Sequence, residues 1–282
     1  MFAPSLSDLL NRQETVVHTR LARVRGSSPR EAGAEMFITE DSLWGTIGGG
    51  QLEYMAIDQA RAMLRDGRTN VVMDVPLGPE IGQCCGGRVD VSLDRMTAIN
   101  RAAALQRDIT ARNGLPEVYI LGAGHVGRAL AQQFQHMPVR CVLIDSRAEE
   151  LSLCTAEVEI RQTALPETDI DAARPGSAFI VLTHDHALDF LLTSTALARK
   201  DALYVGMIGS ATKRVKFRNW ARDHCDGQNI DQLTCPIGAN QSHDKRPAII
   251  ATFVVAEVMA ELTTEPGTHN QPGTLKTPAT GT

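Results

Sequence analysis

The sequence lacks any apolar run approaching the roughly 18 residues that a membrane-spanning helix needs, so a membrane protein is not expected. It lacks an excess of basic residues: the formal net charge is −5, which argues against nucleic-acid binding as the main role. Cysteine is scarce, with six in 282 residues, too few for a disulfide framework in a chain of this length. The first residues, Met1-Phe-Ala-Pro-Ser-Leu-Ser-Asp-Leu-Leu10, do not follow the basic-then-apolar order of a secretion signal. A reduced, cytoplasmic protein is therefore expected. No P-loop, metalloprotease helix motif, Ser-His-Asp order or internal repeat is found, and no acid–base pair of an obvious hydrolase stands out.

What is present is a hydrophobic fraction of 43% and a charged fraction of 22%, ordinary for globular domains, in a chain long enough for two of them. Residues 14–25 and 35–39 read as strands, and Gln51 to Arg65 has helical spacing that stops at Asp66-Gly67. Val71 to Val75 and Val89 to Leu93 are further strand candidates, and Met96 to Arg112 reads as a helix. The first domain, residues 1–112, is thus predicted to be a small α+β unit.

After Asn113-Gly-Leu-Pro116 the pattern becomes regular strand–helix alternation. Strands are expected at Glu117–Leu121, Arg140–Ile144, 158–161, 178–183 and 204–208, with the first helix ending near Met137-Pro138 and a last helix at 247–262. That order predicts a doubly wound, Rossmann-like parallel-sheet domain over residues 113–262. Residues 263–282, rich in Pro, Gly and Thr, read as a disordered tail.

Within the second domain, Val118-Tyr-Ile-Leu-Gly-Ala-Gly-His-Val-Gly-Arg128 places Gly122, Gly124 and Gly127 at GxGxxG spacing between a strand and a helix. A dinucleotide-binding turn needs a tight bend, close approach of backbone to pyrophosphate, and a helix N-terminus behind it. Asp145 follows the next strand, where an acid can hold ribose hydroxyls, and Arg147 is near enough to take a 2′-phosphate instead, so NAD against NADP stays open. The bland alternative is a glycine turn that has lost its ligand.

Thr183-His-Asp-His186 falls at the carboxyl end of the fourth strand, where ligands of open α/β sheets bind. His184 and His186 suit a metal or an anion; equally, Asp185 or Thr183 caps the next helix and the imidazoles are incidental.

In the first domain, Gly45-Thr-Ile-Gly-Gly-Gly-Gln-Leu-Glu53 runs Gly48, Gly49 and Gly50 into a helix start, the makings of an anion site. Arg25-Gly-Ser-Ser-Pro-Arg30 adds two guanidiniums, that of Arg30 among them, and two hydroxyls. Either could be an ordinary loop; together they favour a phosphorylated ligand. Gln83-Cys-Cys-Gly-Gly-Arg88 has the wrong spacing for structural zinc, and Cys84 and Cys85 better suit soft-metal or sulfur chemistry, with Arg88 able to lower a thiol pKa. Two cysteines packed under a turn is the alternative. Cys141, Cys154 and Cys225 read as plain core or surface thiols, and Cys235 as ambiguous.

These segments in order resemble the XdhC/CoxI family, accessory proteins of molybdenum hydroxylases such as xanthine dehydrogenase. The resemblance rests on Gly26-Ser-Ser-Pro-Arg-Glu-Ala-Gly-Ala-Glu-Met36, the Gly45–Glu53 run, Gln83-Cys-Cys-Gly-Gly87, the GxGxxG turn, Thr183-His-Asp-His186, Gly206-Met-Ile-Gly-Ser210 with Lys213-Arg214, and Cys235-Pro-Ile-Gly238. It implies a chaperone that binds the molybdenum cofactor (molybdopterin), protects it, supports its sulfuration by a cysteine desulfurase and inserts it into apo xanthine dehydrogenase. Cofactor biosynthesis proteins would be further partners, and a homodimer is expected. A stretch after Cys235-Pro-Ile-Gly238 departs from the family pattern, lacking the usual Gly-Leu, which leaves Asn240 and His243 open. Two rival readings remain: an NAD(P)-dependent oxidoreductase using His184 or His186 for proton transfer, and a nucleotide-sensing regulatory partner of the dehydrogenase that carries no pterin.

Overall fold

The computed structural model describes residues 5–12, 15–79, 86–238 and 244–263, and its contacts divide the chain into two units, one up to Asn113 and one from Gly114. Among the described residues no helix is long and apolar enough to cross a membrane.

The first unit is built on an antiparallel sheet of β1 (Val17–Arg25), β2 (Glu35–Ile38), β3 (Leu43–Gly45), β4 (Asn70–Pro76) and β5 (Arg88–Arg95), in the order β3-β2-β1-β5-β4. Strand alternation sorts its faces: Val17, Leu21, Met36, Ile38, Val89, Val91 and Leu93 pack under helix α2 (Gly50–Asp66), through Leu52, Ala56, Ala60 and Met63. That helix ends where its sequence says it should. Gly67 at φ 77° is left-handed and returns its N–H to the Met63 carbonyl at 3.0 Å. On the other face, α1 (Leu6–Asn11) and α3 (Ala98–Asn113) cover Phe37 with Leu6, Leu9, Leu10 and Ala104.

The second unit is a parallel sheet in the order β11-β10-β9-β6-β7-β8. Its strands are β6 (Glu117–Leu121), β7 (Arg140–Asp145), β8 (Glu159–Gln162), β9 (Ala178–Val181), β10 (Tyr204–Met207) and β11 (Leu233–Thr234). Both faces are covered, as a parallel sheet requires. On one, α4 (His125–Phe134) and α9 (Pro247–Thr263) meet Val118, Ile120, Leu143 and Ile180. On the other, α6 (Pro166–Ala172), α7 (His186–Ala198) and α8 (Ala211–His224) meet Tyr119, Val142, Phe179 and Val205. A short α5 (Ala148–Ser152) links β7 to β8. This is a doubly wound, Rossmann-type sheet, and its strand order reverses between β6 and β9, which is where a ligand crevice forms.

Candidate functional site

In the second unit, β6 ends in five buried residues and the chain must turn sharply to start α4. Each glycine of the turn meets a different constraint. Gly122 adopts φ +128°, and a Cβ there would lie 2.4 Å from the Leu182 carbonyl oxygen on the crossing chain. A Cβ on Gly127 would lie 1.9 Å from the Gly122 carbonyl oxygen, so only glycine lets the helix seat on the turn. Gly124, the N-cap of α4, faces open space within 4 Å. That opening, at a helix N-terminus, is where an anionic ligand could approach the backbone.

Asp145 closes β7 beside this turn, with its side chain only 4% exposed. Its carboxylate accepts the Ala123 N–H at 2.7 Å, and the backbone N–H and guanidinium of Arg147 at 2.8–3.0 Å. Burial pushes the carboxyl up, but the Arg147 and Ala123 hydrogen bonds outweigh it and hold the pKa at about 2. Both oxygens are therefore engaged, and ribose hydroxyls would have to displace Arg147 to reach them. A depressed folded pKa gives stability that is present above the ordinary value of 3.8 and is lost as the pH falls toward 2. The contribution is about 2 kcal/mol. Arg147→Gln is expected to move the acid-unfolding limb to higher pH, measured by fluorescence titration; an unmoved limb would show that Arg147 does not hold Asp145.

Around the turn, Gly122, Asp145, Thr163, Pro166, Thr183 and His184 line a slot of about 40 Å³, close to the volume of a single water. Beyond it, Asp185 caps α7 by accepting the Ala187 N–H at 2.7 Å. Asp189, one turn on and 1% exposed, accepts the Thr183 N–H and hydroxyl, both at 2.8 Å, and pairs with Lys213, whose ammonium also reaches the Ile208 carbonyl at 2.9 Å. His184 opens on the slot, whereas His186 lines a separate pocket of about 420 Å³ with Phe190, Ser210, Lys213 and Lys216. The two imidazoles do not converge on one ligand. Among the described residues no group of three or more His, Cys, Asp or Glu is placed to hold a metal.

Burial raises the Cys141 thiol to about 12, which fits a core residue. Burial also raises Cys235, although Lys213 and Arg214 pull the other way. Cys154 and Cys225 are half-buried free thiols.

In the first unit, motifs that are far apart in sequence meet. Gly26 lies against Gly87, where a Cβ on either would press on the other strand's backbone; on Gly87 it would be 2.0 Å from the Ser27 carbonyl oxygen. Gly48 lies against Pro29 and Arg30. Leu77 exchanges backbone hydrogen bonds of 2.8 Å with Gly86 and Gly87, closing the base of the segment that carries the adjacent cysteines. Cys84 and Cys85 themselves lie outside the described residues, as do Asn240, His243 and the tail from residue 264. Arg88 is held by Asp74 through bonds of 2.6 and 2.7 Å.

The glycine run is a backbone nest, and it is filled from within. The Glu53 carboxylate accepts the N–H groups of Ile47 at 2.9 Å, Gly48 at 3.2 Å and Gly49 at 2.8 Å, and the Thr46 hydroxyl. Burial opposes ionisation there, but these four donors hold the carboxyl below its usual range. An external anion would have to displace Glu53. Donors here that are not committed to Glu53 include the Ser28 hydroxyl, buried without a hydrogen-bond partner, and the exposed Arg30. Glu53→Gln is expected to cost about 2 kcal/mol in urea unfolding, because three charge-assisted N–H bonds lose their anion. A loss below about 0.5 kcal/mol would mean that water replaces the carboxylate without penalty.

Sequence reasoning found the glycine motifs and quoted Glu53 and Lys213 within them, but not what those two residues hold or the closure of Asp145. A carboxylate in the first helical turn after a glycine nest was the available signal for Glu53. Nothing local signals the Lys213–Asp189 pair, whose members stand 24 residues apart on different helices.

The family described as "XdhC and CoxI family" matches residues 9–75, and the one described as "XdhC Rossmann domain" matches residues 118–258, half of the chain. The chain is 25% identical over 254 residues to the Escherichia coli (strain K12) protein YqeB, covering 86% of this chain but 43% of that protein. It thus spans less than half the length of that curated relative. A crystal structure from Bacillus halodurans, described as a xanthine dehydrogenase, superposes with a TM-score of 0.76 over 94% of this chain and 96% of that one, at 17% identity, and so shares the fold. With one family match in each unit, the chain belongs to the XdhC and CoxI family.

Proposed function

We propose that this protein is an accessory factor of xanthine-dehydrogenase-type molybdenum hydroxylases. It binds the molybdenum cofactor, shields it, presents it to a cysteine desulfurase and passes it to the apo-dehydrogenase. Cofactor biosynthesis proteins would supply the cargo, a homodimer would carry it, and the compartment would be the cytoplasm. The observation that carries this reading is the convergence of the three family motifs of the first unit in the loops that follow β1 and β3 and precede β5, Gly26 on Gly87 and Pro29 on Gly48.

The residues there fit a phosphorylated cargo in part. Ser28 and Arg30 would meet the phosphate; the Gly48 and Gly49 N–H groups are committed to Glu53. Cys84 and Cys85 would hold the soft-metal end. When bound, the cofactor would supply a molybdenum centre on which a terminal oxygen is exchanged for sulfur. The protein's own tasks are to grip the phosphate, exclude water and release the group intact. Modest affinity suits a carrier, since each tenfold in affinity is about 1.4 kcal/mol.

A nucleotide role for the second unit is favoured by the open approach to Gly124, with Arg147 beside it for a phosphorylated ribose. A regulatory nucleotide or a nicotinamide cofactor would be the ligand, and its phosphorylated ribose would have to draw Arg147 away from Asp145.

The test is retention. Purified protein is incubated with molybdenum cofactor and desalted, and the co-eluting pterin and molybdenum are quantified, alongside Cys84→Ala/Cys85→Ala, Arg30→Ala and Gly124→Asp variants. Near-stoichiometric retention is expected for the parent, with loss in the cysteine double variant. Loss in Gly124→Asp alone would place the grip in the second unit. Retention no better than a control protein overturns the carrier reading and brings nicotinamide turnover forward.

A further inference from the structure

A pocket of about 420 Å³ opens between the first turns of α7 and α8, beyond the carboxyl ends of β9 and β10. It shares no lining residue with the slot beside Gly122. Its floor is set by Gly209. A Cβ there would lie 2.6 Å from Lys213 Cδ and 3.0 Å from Lys213 Cβ, so glycine lets the lysine stem fold back over the loop. The ammonium turns inward to Asp189 and to the Ile208 carbonyl at 2.9 Å, and the stem remains as an apolar wall. Phe190 supplies a second wall. Its half-buried ring is backed by Phe217 and Trp220 at centroid distances of 5.4 and 5.8 Å.

The polar lining is rich in uncommitted donors. Among the described residues neither the exposed Lys216 nor His186 has a hydrogen bond or an ion pair from its side chain. The Thr212 hydroxyl is likewise free, and the Ser210 hydroxyl accepts the Lys213 N–H at 3.3 Å while its own proton is unused. Among the described residues no carboxylate lines the pocket, although acids outnumber basic residues 33 to 28 in the chain. The two acids nearest along the chain are already taken: Asp185 accepts the Ala187 N–H at 2.7 Å, and Asp189 holds Thr183 and Lys213. An ammonium without a counter-ion, an imidazole and two hydroxyls therefore line one apolar-walled cavity.

We propose that this pocket binds a small organic anion with an apolar body. Lys216 and His186 take the anionic head, with Thr212 and Ser210 donating their hydroxyls. The body lies against Phe190 and the Lys213 stem. The volume falls inside the range of about 300–1,000 Å³ usual for small-molecule sites. A carboxylate and a phosphate monoester share this chemistry. The ligand is a companion to whatever occupies the GxGxxG turn, because both sites lie at the carboxyl edge of one sheet and Asp189 joins Lys213 of the pocket to Thr183 of the slot.

The experiment is titration of the full chain with benzoate, phenyl phosphate, benzyl alcohol and inorganic phosphate, followed by calorimetry and by amide shifts. Benzoate or phenyl phosphate is expected to bind, and the tighter of the two identifies the head group. Benzyl alcohol and inorganic phosphate, each lacking one half of the ligand, are expected to bind at least about tenfold more weakly. Shifts are expected at His186 and from Ser210 to Lys216. Lys216→Gln/His186→Gln is expected to weaken binding about tenfold or more. Arg222→Gln, further along the same helix and outside the pocket, is expected to change it less than about twofold. All three side chains are exposed, and thermal melts check that folding is intact. Absence of binding by both aromatic anions, shifts confined to the Gly122–Gly127 turn, or binding that survives the double variant overturns the proposal. Weakening by Arg222→Gln as large as that of the double variant does the same, since it would mean general attraction to a basic helix. Cofactor retention is read through Cys84 and Cys85 of the first unit, so the two readings fail separately.

Discussion

Replacing Gly127 with alanine is expected to destabilise the second unit by about 3 kcal/mol or more, whereas Gly124→Ala, three residues earlier, is expected to leave its stability within about 0.5 kcal/mol. Helix propensity alone predicts the opposite sign for Gly127, since alanine is better than glycine inside a helix by about 1 kcal/mol. The steric term decides. The added Cβ would sit 1.9 Å from the Gly122 carbonyl oxygen and 3.1 Å from the Leu182 side chain, and a backbone oxygen cannot swing aside as a lysine tip can. Relief would require lifting α4 off the turn, and with it Leu130 and Phe134 from the core they share with Val118 and Ile120. Gly124 carries no such burden. Its φ of −64° and ψ of −173° are open to any residue, and nothing lies within 4 Å of a Cβ there. Urea unfolding followed through Trp220, which packs between Phe190, Phe217 and His224, reads the second unit alone once Trp44 is changed to Phe. Similar transitions for the two variants would show that the turn is not the tight joint described. Gly124→Ala then serves as a probe of ligand approach in a protein whose fold is untouched.

The same contrast explains what could be read from the sequence. Where a rule is local, the reading and the structure coincide: Gly67 ends α2 because a left-handed cap needs a residue without Cβ, and β6 occupies Glu117–Leu121 as its apolar run implies. The alternation beyond Pro116 implies a parallel sheet, and the sheet is parallel throughout. Three short elements were not anticipated. Strand β3 and the two-residue β11 owe their form to partners (β2 and β10), whereas helix α1 carries a local signal that went unread, the reciprocal Ser5–Asp8 capping box at its start. Helix α4 stops at Phe134, a few residues before Met137-Pro138, because the chain tightens there: His136 and Met137 make i→i−3 bonds to Gln133 and Phe134. At the sites, glycine spacing announces backbone geometry but not its occupant. The Gly48–Gly49 nest reads as an anion site, and the anion in the structure is the chain's own Glu53. The Asp145-Ser-Arg147 spacing reads as a choice between two riboses, and the structure pairs the acid with the arginine. Neither closure has a periodic signature, because each depends on which side chain reaches a fixed donor first.

The pair formed by Lys213 and Asp189 carries the second large expected effect, and it bears on the site as well as on stability. Their side chains are 11% and 1% exposed, so removing the lysine leaves a carboxylate stranded where water cannot solvate it. Lys213→Met, which keeps most of the stem volume, is expected to cost about 3–5 kcal/mol in the same urea experiment. Adding Asp189→Asn should return at least about 1 kcal/mol of that loss. The asparagine oxygen still accepts from Thr183 N–H and hydroxyl, its amide can donate to the Ile208 carbonyl that Lys213 vacates, and no net charge remains buried. Recovery on adding the second change is the signature of an uncompensated charge. A mere packing defect predicts further loss instead. Because Asp189 fixes the backbone and hydroxyl of Thr183, the single variant should also loosen the loop that carries His184 to the mouth of the slot. Faster amide exchange at Thr183 and His184 in Lys213→Met, reversed in the double variant, would tie the buried pair to the loop that lines the slot. An unfolding midpoint equal to that of the parent would mean that the pair is solvated and holds nothing in place.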